Sequence, residues 1–283
     1  MQVNTRGQAF DQRRSVVNNQ QNNRQNTEQD NTQTNQQPDT ITSNKPIRPR
    51  QDFIRERRSI GIACCRIQDT KPQILLVRKR YTYAYNIFVN GKYKSNDNHG
   101  LIELFSGMTI DEKLDILSLN FIQIWYRMWL NSAQRTEHYF IAKNKFESTF
   151  AGGERLRRLI AKSTHASRVW EIPKGRKSDK LEPDIHCAIR EFQEETGISK
   201  ANYKIVSDVA KSYSYIDCDV RYVNVYYLAL ASVNAVPHID FNANDQVGEV
   251  SDIRWMDIED IRRIDPRLAK FVRPIFNYMR KYK

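Results

Sequence analysis

Residues 190–197 read Arg-Glu-Phe-Gln-Glu-Glu-Thr-Gly and place three carboxylates within five positions. On a helix Glu191, Glu194 and Glu195 stand at i, i+3 and i+4, so they share one face, where like charges destabilise. Arg190 reaches Glu194 one turn on, but one guanidinium cannot neutralise three carboxylates. A hard divalent cation can. Mg²⁺ or Mn²⁺ takes oxygen ligands, keeps several waters and is commonly shared with substrate phosphates. The preceding Pro173-Lys174-Gly175-Arg176-Lys177 fits that chemistry. Glycine lets the backbone approach an ion closely, and Lys174, Arg176 and Lys177 offer charge to further phosphates.

These residues need a helix to align them. Pro183 suits a first helical turn, Ile185, Ala188 and Phe192 form an apolar stripe, and Gly197 is a natural left-handed terminator. A helix is therefore predicted over about 183–196. Before it, Ser59–Ile67 and Gln73–Arg80 read as a strand hairpin turning at Asp69-Thr70-Lys71-Pro72, and Val169–Ile172 as a short strand. After it, Tyr203–Tyr215 and Arg221–Ala231 read as a second hairpin around Asp217-Cys218-Asp219, with Asp217 and Asp219 shaping the turn. Glu249–Met256 gives a last strand, and 258–264 and 266–282 give helices. Between the first hairpin and the helix, residues 81–167 read as a helical insertion. There, Thr109-Ile110-Asp111-Glu112 fits a capping box, followed by Leu114, Leu117, Phe121, Ile124, Trp125 and Met128 at helical spacing. Gly153–Lys162 is a second, basic helix. The fold class is α+β with a mixed sheet.

Residues 1–50 are dominated by Asn, Gln and Thr and hold too few apolar side chains to offset ordering entropy, so a disordered tail is expected. Residues 51–283 are then the folded domain. Nothing in the sequence approaches the ~20 apolar residues of a membrane span. The polar N-terminus does not resemble a secretory signal, and Cys64, Cys65, Cys187 and Cys218 lack disulfide or metal spacing. A cytoplasmic protein is expected. Forty-five Lys and Arg against 33 Asp and Glu give a net charge of +12. Such a surface attracts nucleic acid or polyphosphorylated small molecules.

Gly175, Glu182, Arg190-Glu191, Glu194-Glu195 and Gly197-Ile198 resemble the Nudix box, G-x5-E-x7-R-E-U-x-E-E-x-G-U, where U is apolar. One departure is present: six residues, not five, separate Gly175 from Glu182. The resemblance implies a Nudix α/β/α sandwich that hydrolyses diphosphates linked to another moiety. It implies that Arg190, with Glu182 and Gly197, frames the helix. Glu191, Glu194, Glu195 and the backbone near Gly175 would hold Mg²⁺ or Mn²⁺, and Glu249 or Glu191 would take the proton from water.

The insertion and the basic charge resemble the mRNA-decapping Nudix enzymes of large cytoplasmic DNA viruses, such as poxviruses and asfarviruses. That implies capped RNA as substrate, host cytoplasm as location and packaging in the virion as an option. Tyr81, Tyr83, Tyr85, Trp125, Tyr126 and Trp129 are candidates to stack on a base. Arg155, Arg157 and Arg158, with Lys143, Lys145, Lys162 and Arg168, are candidates to track an RNA backbone. Two alternatives stand beside this: a diphosphoinositol polyphosphate phosphohydrolase, and a non-catalytic RNA-binding protein on the same fold.

Overall fold

The computed structural model describes residues 55–130, 136–217 and 220–282. The polar tail expected over 1–50, and Cys218 and Asp219 of the second turn, lie outside them. Strands β1 (Arg55–Gln68) and β2 (Lys71–Lys79) form the first hairpin. Its turn uses Asp69 and Thr70, both with positive φ, the left-handed geometry that matches the twist of two adjacent strands. Short β3 (Trp170–Glu171) and β4 (Lys174–Gly175) flank the Pro173 corner, and β5 (Tyr203–Asp217) and β6 (Val220–Ala231) form the long second hairpin. β7 (Val250–Met256) closes the set.

The main sheet path runs β3-β2-β1-β6-β5, with β4 added to β1 and β7 to β2; β1 and β6 are parallel and the other pairs antiparallel. The pleat divides β1 between two cores. Ile60, Ile62 and Cys64 face helix α7 (Asp184–Thr196) through Cys187, Ala188 and Phe192. Ala63 and Cys65 face α10 (Pro266–Met279) through Val272, Ile275, Phe276 and Met279, beside α9 (Ile258–Ile264). This is the expected α/β/α sandwich with a mixed sheet.

The insertion between β2 and β3 folds around a third core of its own. Its helices are α1 (Tyr83–Val89), α2 (Asn98–Ser106), α3 (Ile110–Ser118), α4 (Phe121–Trp129), α5 (Glu137–Thr149) and α6 (Glu154–Ala161). Phe88 sits at the centre, its ring within 6 Å of Tyr93, Phe105, Phe146 and Phe150. Buried Glu112 ties two helix starts together. It accepts from Thr82 N and Oγ1, both at 2.7 Å, and from Thr109 N at 2.9 Å.

Three expectations change. The stretch behind Thr109 is two helices, because Leu119 leaves helical geometry and Asn120 opens a second capping box with Gln123. Leu114 and Leu117 accordingly point to solvent while Phe121, Ile124, Trp125 and Met128 are buried. Of the tyrosines expected to stack on a base, Tyr83 and Tyr85 lie in the first turn of α1, with Thr82 as N-cap, and Tyr85 is core and closed to a base. Pro183 is the N-cap of α7 and precedes its first turn.

Candidate active site

The end of the sheet where β2, β3 and β4 meet α7 gathers the chemical side chains. β4 pairs with β1 at Ile60 and Gly61, and Gly175 lies directly against α7. A β-carbon at Gly175 would lie 1.8 Å from Glu191 Oε2. Only glycine lets that carboxylate lie on the backbone.

Arg190 is the hub of the helix face. Its guanidinium donates to both oxygens of Glu182 at 3.0 and 3.2 Å, to Glu191 Oε1 at 2.8 Å, to Glu194 Oε2 at 2.9 Å and to the Arg176 carbonyl at 2.8 Å. Arg190 and the Ser178 amide pull the Glu182 carboxyl down to about 2. The extra loop residue is absorbed before that contact: Asp179 Oδ1 accepts from the amides of Leu181 and Glu182, so Glu182 still meets Arg190.

Glu195 is fully enclosed, at 2% exposure, and burial pushes its carboxyl up to about 7 despite Lys79. Its oxygens accept from Lys79 Nζ at 2.7 Å and from the Lys174 amide at 2.9 Å. Burial also raises Glu191, opposed by Arg190 and reinforced by the charges of Glu194 and Glu249. Glu249 closes the far side. It is the last residue of α8 (Asn244–Glu249) rather than the first of the last strand, which begins at Val250. The Arg80 amide donates to its carbonyl at 2.8 Å, and the Arg80 guanidinium holds the Val247 carbonyl at 2.6 Å. Gln246 fixes α8 from below by donating to the His238 carbonyl at 2.8 Å.

Lys79 was not singled out by the sequence and is central. Its ammonium lies 2.7 Å from Glu195, 3.2 Å from Glu249 and 3.5 Å from Glu171. Burial alone would lower its pKa; these three carboxylates outweigh it and hold the ammonium charged. Buried Glu171 is equally unexpected. Burial alone would raise its carboxyl; Lys174 and Lys79 outweigh it and keep it ionised, and Tyr83 Oη donates to it at 2.8 Å. The sequence signal for Lys79 was faint: it continues the inward alternation Leu75, Val77 with a cation.

The expected phosphate-binding cations are placed differently from one another. Lys174 is enclosed and committed to Glu171 at 2.7 Å, so it does not face solvent as a free phosphate ligand. Lys177 pairs with Asp184 at 2.7 Å. Arg176 is exposed. In the insertion, Arg155 fastens α6 to the α1–α2 connection by donating to the Thr149 and Ser95 carbonyls and to Asn98. Its guanidinium is committed inside the protein. Arg157 and Arg158 remain exposed.

The donor set fits a hard divalent cation by its chemistry: Glu191, Glu194, Glu195 and Glu249 offer only oxygen, and Glu191 is repelled by Glu194 and Glu249 even though Arg190 offsets it in part. Among the described residues no three such side chains surround one point. Their oxygens turn to Lys79 and Arg190, so a bound cation would exchange with those contacts.

A cleft of about 730 Å³ opens beside Glu249, between α8 on one side and α1 and α4 of the insertion on the other. Lys79 and Glu249 line it together with Tyr81, Tyr83, Asn86 and Trp129.

A carboxylate helix locked by one arginine against a glycine of the preceding strand defines the class, and residues 153–277 match the NUDIX domain. The chain belongs to the Nudix family and is a hydrolase of that family. It is 34% identical over 238 residues to the mRNA-decapping protein g5R of African swine fever virus, covering 79% of this chain and 96% of that protein. A putative mRNA-decapping protein of Acanthamoeba polyphaga mimivirus is 25% identical over 222 residues, 68% of this chain and 60% of that one. A C. elegans Ap4A hydrolase in a binary complex aligns over 78% of this chain and 96% of its own at 14% identity, with a TM-score of 0.41. Nudix hydrolases in general use divalent metals.

Proposed function

We propose that this chain removes the 5′ cap of mRNA, cleaving the cap's diphosphate linkage to release 7-methyl-GDP and RNA with a 5′-monophosphate. The observation that carries the reading is the cleft, which joins an aromatic wall from the insertion to Lys79 and Glu249; Lys79 in turn holds Glu195 of the hydrolase helix at 2.7 Å. A planar base fits between aromatic faces, and its phosphates would then extend towards Glu249. The names of the viral relatives support the same substrate.

Glu191, Glu194 and Glu195, with the Gly175 backbone, would hold Mg²⁺ or Mn²⁺. That cation supplies a Lewis acid that acidifies bound water and offsets charge on the phosphate oxygens. Arg190 orients Glu191 and Glu194 through direct hydrogen bonds. Lys79 balances Glu195 and Glu171 inside the site. Glu249, exposed at the cleft, or Glu191 would accept the proton from water. Arg176 and Lys177, both exposed beyond Gly175, would meet further phosphates, Lys177 by exchanging its contact with Asp184. The host cytoplasm, where capped mRNA is translated, is the proposed place of action. No helix among the described residues is long and apolar enough to cross a membrane.

The test presents cap-labelled RNA and diphosphoinositol pentakisphosphate to the full-length chain with each metal. Release of 7-methyl-GDP, lost on Trp129→Ala through a raised KM while the inositol substrate is unaffected, supports the reading. Turnover of the inositol substrate alone would replace it.

A further inference from the structure

Five aromatic rings run in an unbroken row away from the active site along the sheet face that carries α10. Tyr226, buried and in register with Gly61, which on its other side pairs with Lys174, begins it. Phe271 of α10 lies 5.7 Å from Tyr226 and 5.6 Å from Tyr213. Tyr213 neighbours Tyr215 at 5.9 Å, and Tyr215 stacks on Tyr222 at 5.1 Å with 11° between the ring planes. Arg57 lies over the Tyr222 ring at 5.9 Å and ends the row.

The register explains why these side chains share a face. Lys211, Tyr213 and Tyr215 of β5 stand opposite Tyr226, Asn224 and Tyr222 of β6, which in turn pair with Gly61, Ser59 and Arg57 of β1. Exposure rises along the row, from 5% at Tyr226 to 37% at Tyr213 and 43% at Tyr215. Four residues of strand carry it about 13 Å from the site. Lys211 is exposed on the same face beside Tyr213.

We infer that this face is a stacking platform for the single-stranded RNA body that follows the cap. The inference rests on the decapping reading and names where the rest of that substrate lies. Successive bases stack on exposed rings whatever their sequence, while cations hold the phosphates. Arg57 and Lys211 supply that charge at the two sides of the exposed rings, on a chain of net charge +12. Continuity with the active site gives the platform its direction: buried Tyr226 and half-buried Phe271 pack the inner end of the row, and RNA leaving the cleaved bond reaches the exposed rings of Tyr213 and Tyr215 beyond them. A structural role alone would make the tyrosines a cross-strand staple for the hairpin end, and the choice of variants separates the two.

The experiment compares wild type with Tyr213→Leu/Tyr215→Leu, which keeps apolar bulk without a π face, and with Tyr213→Phe/Tyr215→Phe, which keeps the rings. Anisotropy reads binding of an uncapped 5′-monophosphate oligouridylate to the full-length chain. Turnover is read on a capped dinucleotide and on a capped 20-mer, with a melting curve for each variant. The expected result is binding about tenfold weaker or more for the Leu pair. KM for the capped 20-mer should rise in parallel, with the capped dinucleotide unchanged and the Phe pair behaving as wild type. Equal RNA binding in all three proteins, or an equal loss on both capped substrates accompanied by a lowered melting point, overturns the platform. A dimer that the Leu pair dissolves while RNA binding stays constant overturns it in favour of a second copy of this chain. If wild type cleaves neither capped substrate, the decapping reading itself fails, whatever the variants bind.

Discussion

Replacing Lys79 with Met tests how the carboxylates at the end of the sheet are held together. The ammonium meets Glu195 at 2.7 Å, Glu249 at 3.2 Å and Glu171 at 3.5 Å. Of these, Glu195 and Glu171 are enclosed, at 2% and 11% side-chain exposure, and Glu249 is at 61%. The exposed partner contributes little, because solvent screens it. The enclosed ones dominate, and removing one member of such a pair costs about 3–5 kcal/mol. At about 2–4 °C per kcal/mol for a domain of this size, the metal-free melting point should fall by about 6–20 °C. Added Mg²⁺ or Mn²⁺ should recover more of the loss in the variant than it adds to wild type, since the cation meets charge that Lys79 no longer balances. The assay is a calorimetric scan of full-length wild type and Lys79→Met, each in chelator and in saturating metal. A variant melting within about 2 °C of wild type in chelator would refute the charge-balance argument. So would a metal effect equal in both proteins.

Glu195 gives a pH signature in the metal-free chain. Its folded carboxyl sits at about 7 against an ordinary 4.5, so the folded state keeps a proton that the unfolded chain has released between those values. The contribution of Glu195 to stability should therefore be fullest below about pH 4.5 and be lost as pH rises through 7. Glu195→Gln should flatten that slope in denaturant midpoints between pH 5 and 8, and an unchanged slope would contradict the assignment. Arg157→Glu/Arg158→Glu should weaken cleavage of long capped RNA several-fold more at low salt than at high salt, with the melting point kept. Arg155→Ala should instead lower the melting point, because it breaks the bonds to Thr149, Ser95 and Asn98; thermal scans and RNA binding on both variants separate the two roles. Phe88→Ala should destabilise the insertion by about 3–5 kcal/mol, since it empties the centre of the aromatic core; a loss under about 1 kcal/mol in chemical unfolding would mean that core is not well packed.

The motif helix was legible because its charges, apolar stripe and terminal glycine all follow one period and agree with each other. The two hairpins and the last helices were legible for the same reason. The insertion was legible only as helical. Apolar spacing carries on from Leu114 to Met128 across the break at Leu119, so periodicity alone joins two helices that Asn120 and Gln123 separate. At α1, Tyr81-x-Tyr83-x-Tyr85 alternates like a strand, and it is the Thr82 cap together with Glu112, thirty residues away, that makes it a helix. α8 carries no apolar period and holds Gly248. It exists through contacts with Arg80, His238 and the end of α7. Lys79 and Glu171 escaped notice because each is one charge at the end of a strand, and their meaning lies in the partner that the fold brings to them.

We propose that the Glu191 face cleaves a cap. The most direct measurement of this is a single-turnover reaction of RNA labelled in the cap phosphates, with product separation, for wild type and Glu191→Gln at saturating metal. The account predicts 7-methyl-GDP as the labelled product of wild type, a rate reduced by about 100-fold or more in Glu191→Gln and melting curves that nearly coincide. Labelled 7-methyl-GMP as the product, or a Glu191→Gln rate close to wild type, would contradict it.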